Sequence, residues 1–191
     1  NDSTRAFLNI FPPILKILRE RAYSSFPDPA GAQEYGRRIR EESLARLPEL
    51  LEEFEANALG AGAKVFWAHD SREANAYVHE VIKDKGATYV TKGKSMITEE
   101  TGLNDYLESR GIAAHETDLG EFITQLLKRP PFHIVGPAMN VPVQEISDIF
   151  QARGVISEPM TDPVKLGYAA REFLREKFHH IRVGITGVNM A

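Results

Sequence analysis

The tetrapeptide Lys92-Gly93-Lys94-Ser95 puts two ammonium groups and a hydroxyl at one point of the chain. A β-prone run, Thr88-Tyr89-Val90-Thr91, leads into it, and a helix-like segment with Glu99 and Glu100 in its first turns leads out. A strand that ends in a glycine-containing turn and feeds a helix presents backbone N–H groups, and with Lys92, Lys94 and Ser95 beside them the turn suits a small anion. An exposed lysine turn is the alternative, and the residues alone leave both open. Gly93-Lys94-Ser95 also ends like a P-loop, but that motif needs glycine at position 88, where Thr88 stands, so a nucleotide site of that kind is not expected.

Two further places carry carboxylates or tight exits. Glu99 can point into a cleft beside Ser95 as a general base, although the helix dipole accounts for Glu99 and Glu100 without any chemistry. Asp118, just ahead of Leu119-Gly120-Glu121, is either a cleft carboxylate or an N-cap. Gly184-Ile185-Thr186-Gly187 has the G-x-x-G core of a tight strand exit and is followed by Asn189. If the exits at 92–95, 117–120 and 184–189 converge, Lys92, Lys94, Ser95, Gly120, Thr186, Gly187 and Asn189 hold an anionic ligand, while Glu99 and Asp118 move a proton.

The elements that must position these residues alternate. Residues 64–68, 88–91, 112–116, 132–136 and 182–186 read as strands. Residues 70–85, 98–109, 119–128, 143–153 and 162–177 read as helices, the first opened by an Asp70/Ser71 cap with Glu73 placed for a capping box. That alternation indicates βαβ units and a mostly parallel sheet, an α/β class. Ahead of it, residues 7–18 are dense in apolar side chains around Pro12-Pro13, residues 24–33 read as a linker, and 35–59 as one long amphipathic helix with Pro48 as its awkward residue. We therefore expect an N-terminal helical arm and linker over 1–34 and an α/β domain over 35–191. The apolar arm either packs on its own domain or docks a partner, and a homo-oligomer stays open.

Composition narrows the functions. A net charge of −4 with no basic stripe argues against nucleic acid, and Arg37, Arg38 and Arg40 are followed at once by Glu41 and Glu42. There is no cysteine, so disulfides, thiolate nucleophiles and cysteine-ligated clusters are excluded within this chain. The six histidines have no metal-ligand spacing, and the H-E-x-x-H, G-x-S-x-G and G-x-G-x-x-G patterns are missing. No apolar run is long enough to span a bilayer, and Asn1-Asp2-Ser3-Thr4 lacks the character of a signal peptide, so a cytoplasmic protein without a membrane span is expected.

Five blocks in order carry a resemblance. They are R-R-I-R-E-E-S-L-A-R-L-P-E-L-L-E-E-F-E-A-N-A (37–58), V-F-W-A-H-D-S-R-E-A-N (65–75), K-G-K-S-M-I-T-E-E-T-G-L-N (92–104), E-T-D-L-G-E-F-I-T-Q-L (116–126) and V-G-I-T-G-V-N-M-A (183–191). Together, from Tyr35 onward, the chain resembles the LUD domain of lactate utilisation proteins. The resemblance implies a Rossmann-like α/β fold of the NagB/RpiA/CoA-transferase type. It also implies a place in a three-protein, iron–sulfur-containing system that oxidises L-lactate to pyruvate, with other lactate utilisation proteins as partners; the ligand we expect in the cleft is a small carboxylate or a phosphorylated molecule. In that family a cysteine-rich region follows the LUD domain, so the clusters are expected on a C-terminal region missing here or on partners. The family's K-S-K-S-M-type loop has Gly93 inside it here. The resemblance transfers no catalytic residue, and any activity is expected within an L-lactate-oxidising complex. A non-catalytic scaffold for an iron–sulfur oxidoreductase, and an independent sugar-phosphate or CoA-ester enzyme on the same fold, are the alternatives.

Overall fold

The computed structural model describes residues 2–132 and 136–187. The chain forms two compact units, one covering Arg5–Trp67 and the other the residues from Ala68 onward. The boundary expected at 34/35 falls inside the first unit, within a helix.

That first unit is helical. Helix α1 (Asp2–Tyr23) runs through Pro12-Pro13, α2 covers Pro29–Ala45 and α3 covers Leu47–Gly60. The linker expected over 24–33 is shorter than its composition suggests. Asp28 Oδ1 accepts a hydrogen bond from Gly31 N at 2.9 Å and Pro29 takes the first turn of α2, a start signal strong enough to fold Pro29 to Gln33 as helix. The single helix expected over 35–59 is two, parted at Arg46, because Pro48 has no N–H to donate and fits a first turn better than an interior. Residues 64–68, expected as a strand, form none. Phe66 and Trp67 are exposed, and the Trp67 indole N–H donates to Glu55 Oε1 at 3.0 Å instead of joining a ladder.

The second unit is α/β. Helix α4 (Ser71–Asp84) precedes β1 (Tyr89–Lys92), and α5 (Met96–Glu100) and α6 (Leu103–Glu108) cross over to β2 (Ala113–Glu116). Then come α7 (Leu119–Leu127), α8 (Val143–Ala152), α9 (Pro163–Phe178) and β3 (Gly184–Ile185). Among the described residues the sheet has three parallel strands in the order β2-β1-β3. The Asp70 cap forms as expected, accepting from Glu73 N at 2.7 Å, while Glu73 Oε2 accepts from His69 N at 2.7 Å. The helix expected over 98–109 is split at Gly102, whose φ of 64° is a left-handed conformation that only glycine adopts without cost. Most of the strand expected over 132–136 lies outside the described residues.

Alternation along β1 and β2 decides what meets under the sheet. Val90 and Lys92 share one face of β1, and Ala114 and Glu116 share the corresponding face of β2. Val90 and Ala114 pack with Ile82, Leu103, Leu107 and Ile112. A second core of Phe122, Ile123, Phe150, Leu166, Ala170 and Leu174 joins α7, α8 and α9. The apolar face of the sheet ends in these two charged residues, each at the last position of its strand.

Candidate functional site

Lys92 and Glu116 are direct partners in the parallel register, so their side chains leave the same face at the same height. Lys92 is fully buried and Glu116 is 3% exposed. The Lys92 Nζ lies 2.8 Å from Glu116 Oε1 and donates to Thr98 Oγ1 at 3.0 Å. Asn104 Nδ2 donates to the same Glu116 oxygen at 2.8 Å. Taking both ions out of water is costly, and the short contact with two supporting polar groups offsets that cost.

Glu121, the third residue of α7, is 2% exposed and adjoins this pair. Burial, then the charge of Glu116 and a hydrogen bond with it, push the Glu121 carboxyl up to about 7; Lys92 opposes this and Glu99 adds to it. Near neutrality the Glu121 carboxyl therefore exchanges its proton beside Glu116. Glu116, Glu121, Glu99, Thr98, Asn104 and Lys128 line a cavity of about 560 Å³ at the carboxyl ends of β1 and β2. That volume suits a small organic ligand. Lys128 stands on the cavity wall with φ 53°, a non-glycine residue in the left-handed region closing α7. Chemically the arrangement can accept and donate protons and hydrogen bonds.

The three strand exits lie side by side. Thr117 N and Oγ1 donate to Lys92 O at 2.9 and 3.0 Å, and Gly93 N donates to Ile185 O at 2.8 Å. The residues expected at a shared site nevertheless divide into separate groups. Glu99 lines the cavity, and Lys92 lies beneath it, paired with Glu116. Ser95 is fully buried and accepts from Thr98 N at 3.3 Å, and a methyl group on Gly187 would come within 2.2 Å of its Oγ. Thr186 lies against Gly93, so Gly93, Ser95, Thr186 and Gly187 make one close-packed knot. Lys94 is half-buried beside it. Asp118 Oδ1 accepts from Gly120 N and Glu121 N at 3.0 and 3.2 Å as the N-cap of α7. Gly120 is pressed against Pro137 and Ala138. Neither lines the cavity. Asn189 lies outside the described residues. Among the described residues no group of side chains is arranged to hold a metal ion.

Residues 51–191 match the model of the LUD domain. The chain belongs to the LUD domain family. Similar proteins named Lactate utilization protein B occur in an Exiguobacterium species (42% identical over 159 residues, 83% of this chain and 34% of the relative) and in Macrococcus caseolyticus (39% over 176 residues, 90% and 37%). The protein of that name in Geobacillus kaustophilus is 42% identical over 154 residues, 80% of this chain and 32% of the relative. The chain thus spans about a third of the length of the curated relatives it matches. No solved structure matches it.

Reasoning from the sequence misses Glu116, Glu121 and Asn104 as cavity residues of this LUD domain. Glu116 reads as the polar end of a strand and Glu121 as the third position of a capping box behind Asp118, an ordinary place for a glutamate. The available signal was the spacing Glu116-x-Asp118-x-x-Glu121. It sets one carboxylate on the last residue of a strand and another one turn into the next helix, with only a tight turn between them.

Proposed function

We propose that this LUD domain serves L-lactate utilisation by binding a small carboxylate in the cavity over Lys92, Glu116 and Glu121. What carries the reading is a cavity of ligand size at the carboxyl ends of parallel strands, the usual ligand position in such sheets, in a chain similar to proteins named for lactate utilisation. We read the three parallel strands and their helices as part of a NagB/RpiA/CoA-transferase-like, Rossmann-like arrangement.

In this reading Lys128 attracts the ligand carboxylate from the cavity wall, and Glu99 and Glu121 face its reacting end. Lys94 and Ser95 act through the loop that holds Thr98, and Asp118 and Gly120 act by fixing the start of α7. Conversion of L-lactate to pyruvate releases two electrons and two protons. Carboxyls handle protons only. The chain has no cysteine to ligate an iron–sulfur cluster, so its residues do not fit that group, and the electrons belong to partner lactate utilisation proteins or to the length of the relatives beyond the matched third. Blocking the cavity with Asp105→Trp, at an exposed position of α6 on its wall, tests the reading. Lactate-dependent growth should fail while growth on other carbon sources continues. Unchanged growth on lactate overturns the ligand role.

A scaffold role has an observation of its own. Helices α2 and α3 contain no buried residue, and Ile10, Ile17, Leu18, Leu44 and Phe54 of the first unit are more than half exposed. Apolar exposure on that scale marks a docking surface for a protein partner. Deleting α1 should abolish association with the partner and leave ligand affinity intact.

A further inference from the structure

The first unit is a set of helices without an interior. None of its residues, Arg5–Trp67, is buried, although α1, α2 and α3 span 22, 17 and 14 residues. Helices of such length owe most of their stability to an apolar face packed against something else. The cover for these faces has to come from beyond the unit.

Two features of the unit fit each other. Between α1 and α2 lies a groove of about 730 Å³, with Arg19 and Tyr23 on the α1 side, Phe26 in the turn, and Tyr35 and Arg40 on the α2 side. Arg37 and Glu34 also line it, but they bond to each other at 2.8 Å. Arg40 has no carboxylate within reach among the described residues, and Arg19 has only the ring of Tyr23, 5.4 Å from its guanidinium carbon. The groove thus offers an available guanidinium on each wall, together with three aromatic rings.

The second feature is α3, no residue of which lines the groove. Leu47, Leu51 and Phe54 recur at helical spacing along one exposed face. At about 100° per residue, Glu52 stands one step round from Leu51 and Glu53 one step round from Phe54, on opposite sides of that face. Neither makes an ion pair among the described residues, whereas Glu49 is held by Arg46 at 3.2 Å and Glu55 by the Trp67 indole at 3.0 Å. The charge division extends through the unit. Residues 5–40 carry seven basic and three acidic side chains, and residues 41–67 two and six.

We propose that the first unit pairs with a second copy of itself. In that pairing α3 of one copy lies in the α1–α2 groove of the other, its apolar face on Tyr23, Phe26 and Tyr35 and its Glu52 and Glu53 on Arg19 and Arg40. Each copy carries both the groove and the helix, so the contact is made twice about a two-fold axis and closes as a dimer. This rests on reading the surface as a docking face and names what docks there.

Charge reversal in the full chain tests the pairing, all four charged residues being exposed. The unaltered chain should sediment as a dimer at about 100 μM. Glu52→Arg with Glu53→Arg, and separately Arg19→Glu with Arg40→Glu, should each weaken the dimer at least about tenfold by setting like charges together. Mixed in equal amounts, the two variants should form a heterodimer within about threefold of the original affinity, because both contacts then regain opposite charges. A misfolded variant would not be rescued by mixing. A monomeric unaltered chain at that concentration overturns the second copy, and the docking reading keeps its own test in the loss of partner association on deleting α1. A dimer that either variant leaves intact, or a mixture that stays monomeric, overturns the contact.

Discussion

Replacing Lys92 by Met removes one ion from the best-buried polar contact of the described chain. At 2.8 Å and an effective dielectric of about 20, the attraction between Lys92 and Glu116 is about 6 kcal/mol. Removing the ammonium forfeits that attraction and leaves the Glu116 carboxylate, 3% exposed, beside the carboxyls of Glu121 and Glu99, with Asn104 Nδ2 still donating to it. Relief of the lysine's own desolvation cancels part of the loss. Single-partner removals of buried pairs accordingly cost about 3–5 kcal/mol, against about 5–15 kcal/mol for a whole domain. In a unit of this size that corresponds to a fall in melting temperature of roughly 10–20 °C. The double replacement Lys92→Met with Glu116→Leu removes both charges and should regain most of the deficit, because a buried pair and an apolar pair of similar volume differ little. Urea denaturation of the four proteins of the cycle supplies the coupling energy. A loss below about 1 kcal/mol for Lys92→Met, or a double variant as unstable as the two single losses combined, would refute the ion-pair account.

Three more perturbations separate the roles assigned here. Glu121 holds its proton up to about pH 7 when folded against 4.5 when unfolded, so the stability linked to that proton is fully present below 4.5 and lost as pH rises through 7. The span sets a ceiling of about 3 kcal/mol, reduced by water in the cavity. Glu121→Gln should therefore flatten the fall in urea midpoint between pH 5 and pH 8, and an unflattened fall contradicts the assignment. Gly187→Ala should cost about 1–3 kcal/mol by overpacking Ser95, with partial rescue by Ser95→Ala, read as melting temperatures; an additive double variant refutes the contact. The Gln125 amide accepts from Glu116 N at 3.1 Å and donates to Ala114 O at 2.7 Å, covering the outer edge of β2. Gln125→Leu should lose about 1–3 kcal/mol and promote association through that edge, visible as concentration-dependent sedimentation; stability and sedimentation unchanged from the unaltered chain deny Gln125 that role.

The α/β class was legible because strand and helix patterns alternate from residue 70 onward, and cap chemistry at Asp70 and glycine at 86 mark their ends. The breaks were less legible. Pro48 and Gly102 each sit inside a continuous helical periodicity, and only the backbone requirement of the residue, a missing N–H or a positive φ, divides it. Residues 64–68 have the composition of a strand without a strand partner among the described residues, and pairing is a tertiary property that no local pattern carries. The candidate site was half legible for the same reason. Glu99 and Lys92 were singled out from a tetrapeptide and its following helix, whereas Glu116 enters only through the parallel register that sets it opposite Lys92.

That register also explains why a lysine turn that looks like an anion cradle becomes something else. A lysine at the last position of a parallel strand shares a face with the apolar residue two before it, so as Val90 is drawn into the core Lys92 is drawn in with it. Its ammonium must then find a carboxylate within reach, and the neighbouring strand supplies Glu116 at the same height. The pair leaves one Glu116 oxygen unserved, and the next helix sets Glu121 against it, where a second ionised carboxylate is opposed by the first. The outcome of burying a single lysine is a carboxyl that exchanges its proton near neutral pH beside a ligand-sized cavity. A domain organised in this way has a carboxyl that can exchange a proton with a hydroxyl, and with no cysteine in the chain it supplies no thiolate to an iron–sulfur cluster.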